Sequence, residues 1–215
     1  MGVEQETGQG RVVVGASVAR VVTEVLAPWV LVLGLPLLVA WSATGSVAES
    51  LLWGAVVGVT GSVVPMAVIV RGARRGKWDG HHVTNREGRL VPLLVCVASL
   101  GVGIAALVFG GAPRAMVALA LAMFLSLLAC LTVTFTLPVN GVRGWKVSFH
   151  AAVAAGAVAI LALTYGPWVL LAAPLVALVA WSRVVLGDHT TAQVTVGTAL
   201  GAIVGGTAFW LLTGV

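Results

Sequence analysis

Seven uninterrupted apolar runs, at 25–42, 51–70, 90–111, 115–137, 149–165, 167–182 and 192–213, leave this chain few folds to choose from. A helix of roughly 20 apolar residues crosses the hydrocarbon layer of a bilayer. Inside lipid the backbone must satisfy its own hydrogen bonds, so only helices and closed barrels span it. A barrel strand alternates apolar and polar residues, and these runs do not. The expectation is therefore an all-α, polytopic helical membrane bundle with six to seven transmembrane helices, six if one of the two short runs lies in the interface. With 60% of its 215 residues hydrophobic and 9% charged, the chain has no stretch left for a soluble domain. Residues 1–22 read as a polar or interfacial N-terminal tail, without the basic-then-apolar order of a signal peptide. Residues 23–215 read as a single transmembrane domain.

The connections between the runs are unequal. Residues 43–50, 112–114 and 166–167 are short and nearly uncharged. Residues 71–89, 138–148 and 183–191, with the helix starts they lead into, carry all four histidines: His81, His82, His150 and His189. Each follows an even-numbered run, so counting spans puts all three on the face that holds the N-terminus. Eleven of the twelve Lys and Arg residues fall there, and Arg114 alone lies opposite. The positive-inside rule makes that face cytoplasmic and the protein a multi-pass protein of the cell membrane. The net charge of +5 does not indicate nucleic acid, because its cations sit in loops between spans. Cys96 and Cys130 lie inside apolar runs and read as small core residues. Trp41, Trp53, Trp145, Trp168 and Trp181 fall at run ends, as interface anchors do. Gly54-x-x-x-Gly58 and Gly197-x-x-x-Gly201-x-x-x-Gly205 read as surfaces for close helix contact.

The polar face carries the chemistry. Charge this close to lipid usually has a function. In Ser182-Arg183-x5-His189, a guanidinium that can grip phosphate oxygens stands near an imidazole that can act as nucleophile, base or acid. For nucleophilic attack one ring nitrogen must be free of its proton and the other held by a hydrogen bond. Gln193, one helical turn after His189, is placed to supply that bond. Asp188 is adjacent, but neighbouring side chains on a helix point apart. The second connection ends in Lys146, Ser148 and His150, where a histidine at a helix start suits a general acid and Ser148 suits an anionic oxygen or a helix cap. In the first connection Arg71, Arg74 and Arg75 read as a stop-transfer cluster facing anionic lipid. Lys77, Arg86 and Arg89 divide evenly between that role and phosphate binding.

This order of a basic loop, Ser-x-His and Ser-Arg-x5-His resembles the type 2 phosphatidic acid phosphatase superfamily, across roughly residues 71–210. The family's third signature, Ser-Arg-x5-His-x3-Asp, is matched at Ser182, Arg183 and His189 with its spacing, and Gln193 stands where the family has aspartate. Its second, Pro-Ser-Gly-His, is matched at Ser148 and His150, with Val147 and Phe149 at the other two positions. For its first, Lys-x6-Arg-Pro, His82 precedes Arg89 by the right interval, Lys77 comes earlier, and the next proline is Pro92. The resemblance implies a phosphatase that uses no metal and no cofactor. His189 would attack phosphorus to form a phosphohistidine, and His150 would protonate the leaving oxygen. Arg183, with Ser148 and Lys77, Arg86 or Arg89, would bind phosphate, while Gln193, His82, Lys146 and Ser182 support the site. The expected substrate is a lipid phosphate or isoprenoid (pyro)phosphate with its tail in the bilayer. Two alternatives stand beside it: a lipid phosphotransferase, and a non-catalytic or weakly catalytic relative that binds or moves anionic lipid.

Overall fold

The computed structural model describes residues 15–77, 90–136, 138–139, 142–143 and 145–214. Their helices are α1 (Gly15–Val25), α2 (Pro28–Thr44), α3 (Val47–Arg74), α4 (Leu90–Phe109), α5 (Arg114–Thr136), α6 (Phe149–Tyr165), α7 (Pro167–Val185) and α8 (Thr191–Thr213). Helices α3, α4, α5, α7 and α8 are each long and apolar enough to cross a membrane. The pair α1 and α2, bent by 41°, passes the same test together, and α6 is an apolar helix of 17 residues. The chain is thus an all-α bundle built as a multi-pass membrane protein. One departure from pure helix is a two-residue antiparallel ladder, Pro138–Val139 with Val142–Arg143, in the α5–α6 connection.

Local chemistry explains the helix ends. Pro28 and Pro167 occupy first-turn positions, where a missing N–H costs nothing. Ser46 caps α3 by accepting from the Glu49 N–H. Gly45, Gly166 and Gly187 turn the chain at positive φ. Within the spans, Thr60, Thr132, Thr136, Thr164 and Thr195 each donate their hydroxyl to the carbonyl four residues earlier. No hydroxyl of that set faces lipid unsatisfied, as a hydrocarbon solvent demands.

Two stretches differ from their sequence-based expectation. Residues 15–22, read as part of a tail, begin α1, with Ala19 and Thr23 buried one turn apart against the bundle. The exposed positions of α1 are mixed in character, which hides its helical pattern from hydropathy. The sixth apolar run continues as helix to Val185, so Arg183 belongs, like Ser182, to a helix and not to the loop.

Packing pairs α2 with α3 through Gly54 and Gly58, whose missing side chains admit Leu37 and Leu33. On the other side, α6 packs against α8 through Gly197, Gly201 and Gly205. A Cβ on Gly197 would lie 2.5 Å from the Ser148 carbonyl oxygen, and one on Gly201 would overlap the Ala152 carbonyl. Both glycine motifs therefore serve contacts inside the bundle. At one end of the molecule Arg114 Nε donates to the Leu212 carbonyl (2.6 Å) and the Tyr165 hydroxyl to that of Leu38 (2.6 Å). At the other end α1, the residues before α6 and the α7–α8 turn meet, as span counting expects.

Candidate active site

The α7–α8 turn is folded back on its own helix. Gly187, at φ 72°, reverses the chain, and the N–H groups of Asp188 and His189 both donate to the Arg183 carbonyl (3.1 and 3.2 Å). The reversal brings the Asp188 carboxylate to the Arg183 guanidinium, 2.8 Å from Nη2. Lys146 reaches across from the α5–α6 connection to donate to the Asp188 carbonyl (2.7 Å). The Ser148 N–H donates to the Gln193 carbonyl (3.3 Å). The segments carrying His150 and His189 are thus tied together from both sides.

Gln193 does more than stand one turn from His189. It is the third residue of α8, in a capping box with Thr190: the Thr190 hydroxyl accepts from the Gln193 N–H, and Gln193 Oε1 accepts from the Thr190 N–H (3.2 Å). The same Oε1 lies 3.1 Å from His189 Nδ1. A backbone N–H can only donate, so the amide must present its oxygen to both partners. An amide oxygen can only accept, so Nδ1 carries a proton, and in the neutral ring the lone pair falls on Nε2. The neighbouring backbone therefore sets the tautomer of a histidine that is only 6% exposed.

Arg183 is 1% exposed and sits behind the turn, in a chain of donors. The Ser182 hydroxyl gives its hydrogen to the Val179 carbonyl (2.7 Å). The Thr23 hydroxyl must then donate to Ser182 Oγ (3.0 Å), which leaves Thr23 Oγ1 to accept from Arg183 Nη1 (3.5 Å). Nε of Arg183 has no hydrogen-bond partner among the described residues. A buried guanidinium is tolerable only when paired and hydrogen-bonded, and Asp188 and Thr23 provide that.

His150 and His189 both line a cavity of about 250 Å³ inside the bundle. Helices α2 to α6 and α8 enclose it with largely apolar side chains, Val32, Met66, Leu100 and Val153 among them. Along α6 its lining runs from Phe149 to Ile160, about 16 Å of helix axis. Two histidines, one with its tautomer set, thus border a hydrocarbon-like space.

The expected site residues separate by position. His150, His189 and Gln193 come together, with Lys146, Ser182 and Arg183 forming the scaffold around the turn. Ser148 caps α6 by accepting from the Ala151 N–H (3.4 Å), is fully buried, and is not on the cavity wall. Lys77 is exposed just past the end of α3 and does not line the cavity either. His81, His82, Arg86 and Arg89 lie outside the described residues. Sequence reasoning missed two partners, Asp188 and Thr23. The glycine before Asp188 signals a turn that frees it from the helix rule, whereas nothing in the sequence links Thr23 to residues about 160 positions away. The cavity-lining role of both cysteines was also unforeseen. In comparisons with protein-family models, curated proteins and solved structures, nothing matches the chain.

Proposed function

We propose that the protein is a membrane phosphatase that hydrolyses a lipid phosphate or isoprenoid (pyro)phosphate through a phosphohistidine on His189. One observation carries this reading: Gln193 accepts from Nδ1 of His189, which puts the lone pair of the neutral ring on Nε2, in a histidine on the wall of an apolar cavity that His150 shares. In the first step the Nε2 lone pair attacks phosphorus, the bond from phosphorus to the leaving oxygen breaks, and His150 gives that oxygen a proton. In the second step water attacks the phosphohistidine, His150 takes its proton, and inorganic phosphate leaves with Nε2 regenerated. Gln193 holds the ring in place as positive charge develops. Arg183, paired with Asp188 behind the turn, and Arg86 or Arg89 supply the positive charge that offsets the equatorial oxygens. The polar end faces the cytoplasm by its excess of cations.

A second reading has its own support. Among the described residues no Lys or Arg lines the cavity, and Arg183 is already paired with Asp188. That arrangement also suits a weakly catalytic protein that binds or moves anionic lipid. Phosphate release separates the two. The purified protein, with EDTA present, is expected to release phosphate from at least one of phosphatidate, phosphatidylglycerophosphate or a polyprenyl phosphate. His189→Ala is expected to abolish that release. Binding of these lipids with no turnover of any would overturn the phosphatase reading.

A further inference from the structure

Two turns of π-helix interrupt the bundle, Val59–Val63 in α3 and Gly201–Gly205 in α8. Such turns are rare and concentrate at functional sites, because the extra residue re-aims the side chains beyond it. Both open onto the same cavity, and both present it a glycine: Gly61 and Gly205 are wall residues. A Cβ on Gly61 would lie 3.0 Å from Val32 Cγ1, 3.3 Å from Met123 Cε and 3.8 Å from Leu100 Cδ1, all cavity-lining side chains. A Cβ on Gly205 would lie 2.9 Å from Ser126 Oγ, again on the wall. A side chain at either glycine would press on these wall side chains, which have the cavity beside them to move into.

We propose that this cavity takes a single hydrocarbon chain below the phosphate, and that Gly61 and Gly205, set by the two π turns, fix the length of chain it admits. The inference rests on reading the histidine end as the phosphate end. Volume decides for one chain over two. At roughly 30 Å³ for a group the size of water, a cavity of about 250 Å³ holds on the order of eight such groups. One chain of medium length fills it, and a second has no room. The favoured substrates are accordingly single-chain alkyl or isoprenyl phosphates, and a diacyl phosphatidate fits poorly.

The test uses non-hydrolysable probes, so that it does not depend on turnover. The full-length protein in lipid nanodiscs is photolabelled with octylphosphonate bearing a terminal diazirine. Butyl-, octyl- and dodecylphosphonate and the non-hydrolysable phosphonate analogue of dioleoyl phosphatidate serve as competitors. Labelling is expected on peptides containing Val32, Leu100 or Met123. Competition is expected to strengthen from butyl to octyl and then level off, with the phosphatidate analogue weak. Gly61→Leu should weaken octylphosphonate about tenfold, as expected for one to two methylenes losing their place, and leave butylphosphonate unchanged. Met123→Ala, which enlarges the same passage, should move the strongest competitor to dodecylphosphonate and so guards against a Gly61 variant that fails to fold. The phosphatidate analogue competing as well as octylphosphonate, or a length ranking that neither variant alters, would overturn the single-chain site. Normal photolabelling without phosphate release from any lipid would instead sink the phosphatase reading and leave the chain site standing.

Discussion

Gln193 holds two jobs in one carbonyl oxygen, accepting from the Thr190 N–H and from His189 Nδ1. A carboxylate can perform both, and glutamate is as good a capping-box residue as glutamine. Gln193→Glu should therefore leave the fold intact while changing only the electrostatics of the ring. A carboxylate favours the protonated imidazole, so the unprotonated Nε2 would be lost at a higher pH than in the native protein. The expected outcome is an acidic limb of the pH–rate profile displaced upward for lipid-phosphate hydrolysis. Gln193→Leu removes that acceptor and both of its hydrogen bonds and should cut kcat by about 10- to 100-fold, as loss of an orienting group in general acid–base chemistry does. A Gln193→Glu profile that superimposes on the native one would mean that Nδ1 is not held as described. The His189–Gln193 bond was legible from its four-residue spacing, although His189 lies just before α8 and the bond is made through the capping box, not along a helix face. The Asp188–Arg183 pair was not, because it depends on the reversal at Gly187, where φ is 72°. Ser148 was legible only as two alternatives, and its Oγ caps α6.

Helices α2 to α8 could be read from hydropathy to within a few residues, unlike α1, and α6 was expected over the residues it occupies, Phe149–Tyr165. Pattern was no guide where contact is made by what a residue lacks. Hydropathy does not register that α6 and α8 touch through backbone at Gly197 and Gly201, nor that both π turns fall beside one cavity. The α6–α8 contact positions the site, because α6 begins beside His150 and α8 begins just after His189. Gly201→Ala should force these helices apart, since its Cβ would overlap the Ala152 carbonyl. Overpacking of this kind costs about 1–3 kcal/mol, and more where backbone must move. Gly34→Ala in α2 is the matched control: a Cβ there meets nothing within 4 Å, and alanine favours a helix by about 0.5–1 kcal/mol over glycine. Thermal unfolding in detergent micelles should show Gly201→Ala markedly less stable and Gly34→Ala equal to or above the native protein. Equal melting of the two variants would refute the close α6–α8 contact.

On the scale of the whole molecule, the bundle has a chemically marked end. His150 and His189, the buried Arg183–Asp188 pair and the exposed Arg71, Arg74, Arg75 and Lys77 gather there, while Arg114 sits at the other end against Leu212. Cations in short loops resist translocation far more than their number suggests, so the marked end should remain on the cytoplasmic side. On the proposed phosphatase reading, that side determines which leaflet supplies the substrate, because the phosphate would arrive from the face that carries His150 and His189. Two exposed positions at opposite ends report the facing, Arg75 beyond α3 and Glu49 in its first turn. With Cys96 and Cys130 replaced by serine, Glu49→Cys should react with a membrane-impermeant maleimide on intact cells. Arg75→Cys should react only after the membrane is opened. The single-sided pattern also tests the span count, since 28 residues of α3 separate the ends of one continuous helix. Labelling of both positions from outside would mean that α3 does not cross the membrane. The reverse pattern would keep α3 as a span and place the histidine end, with its substrate, on the outer leaflet.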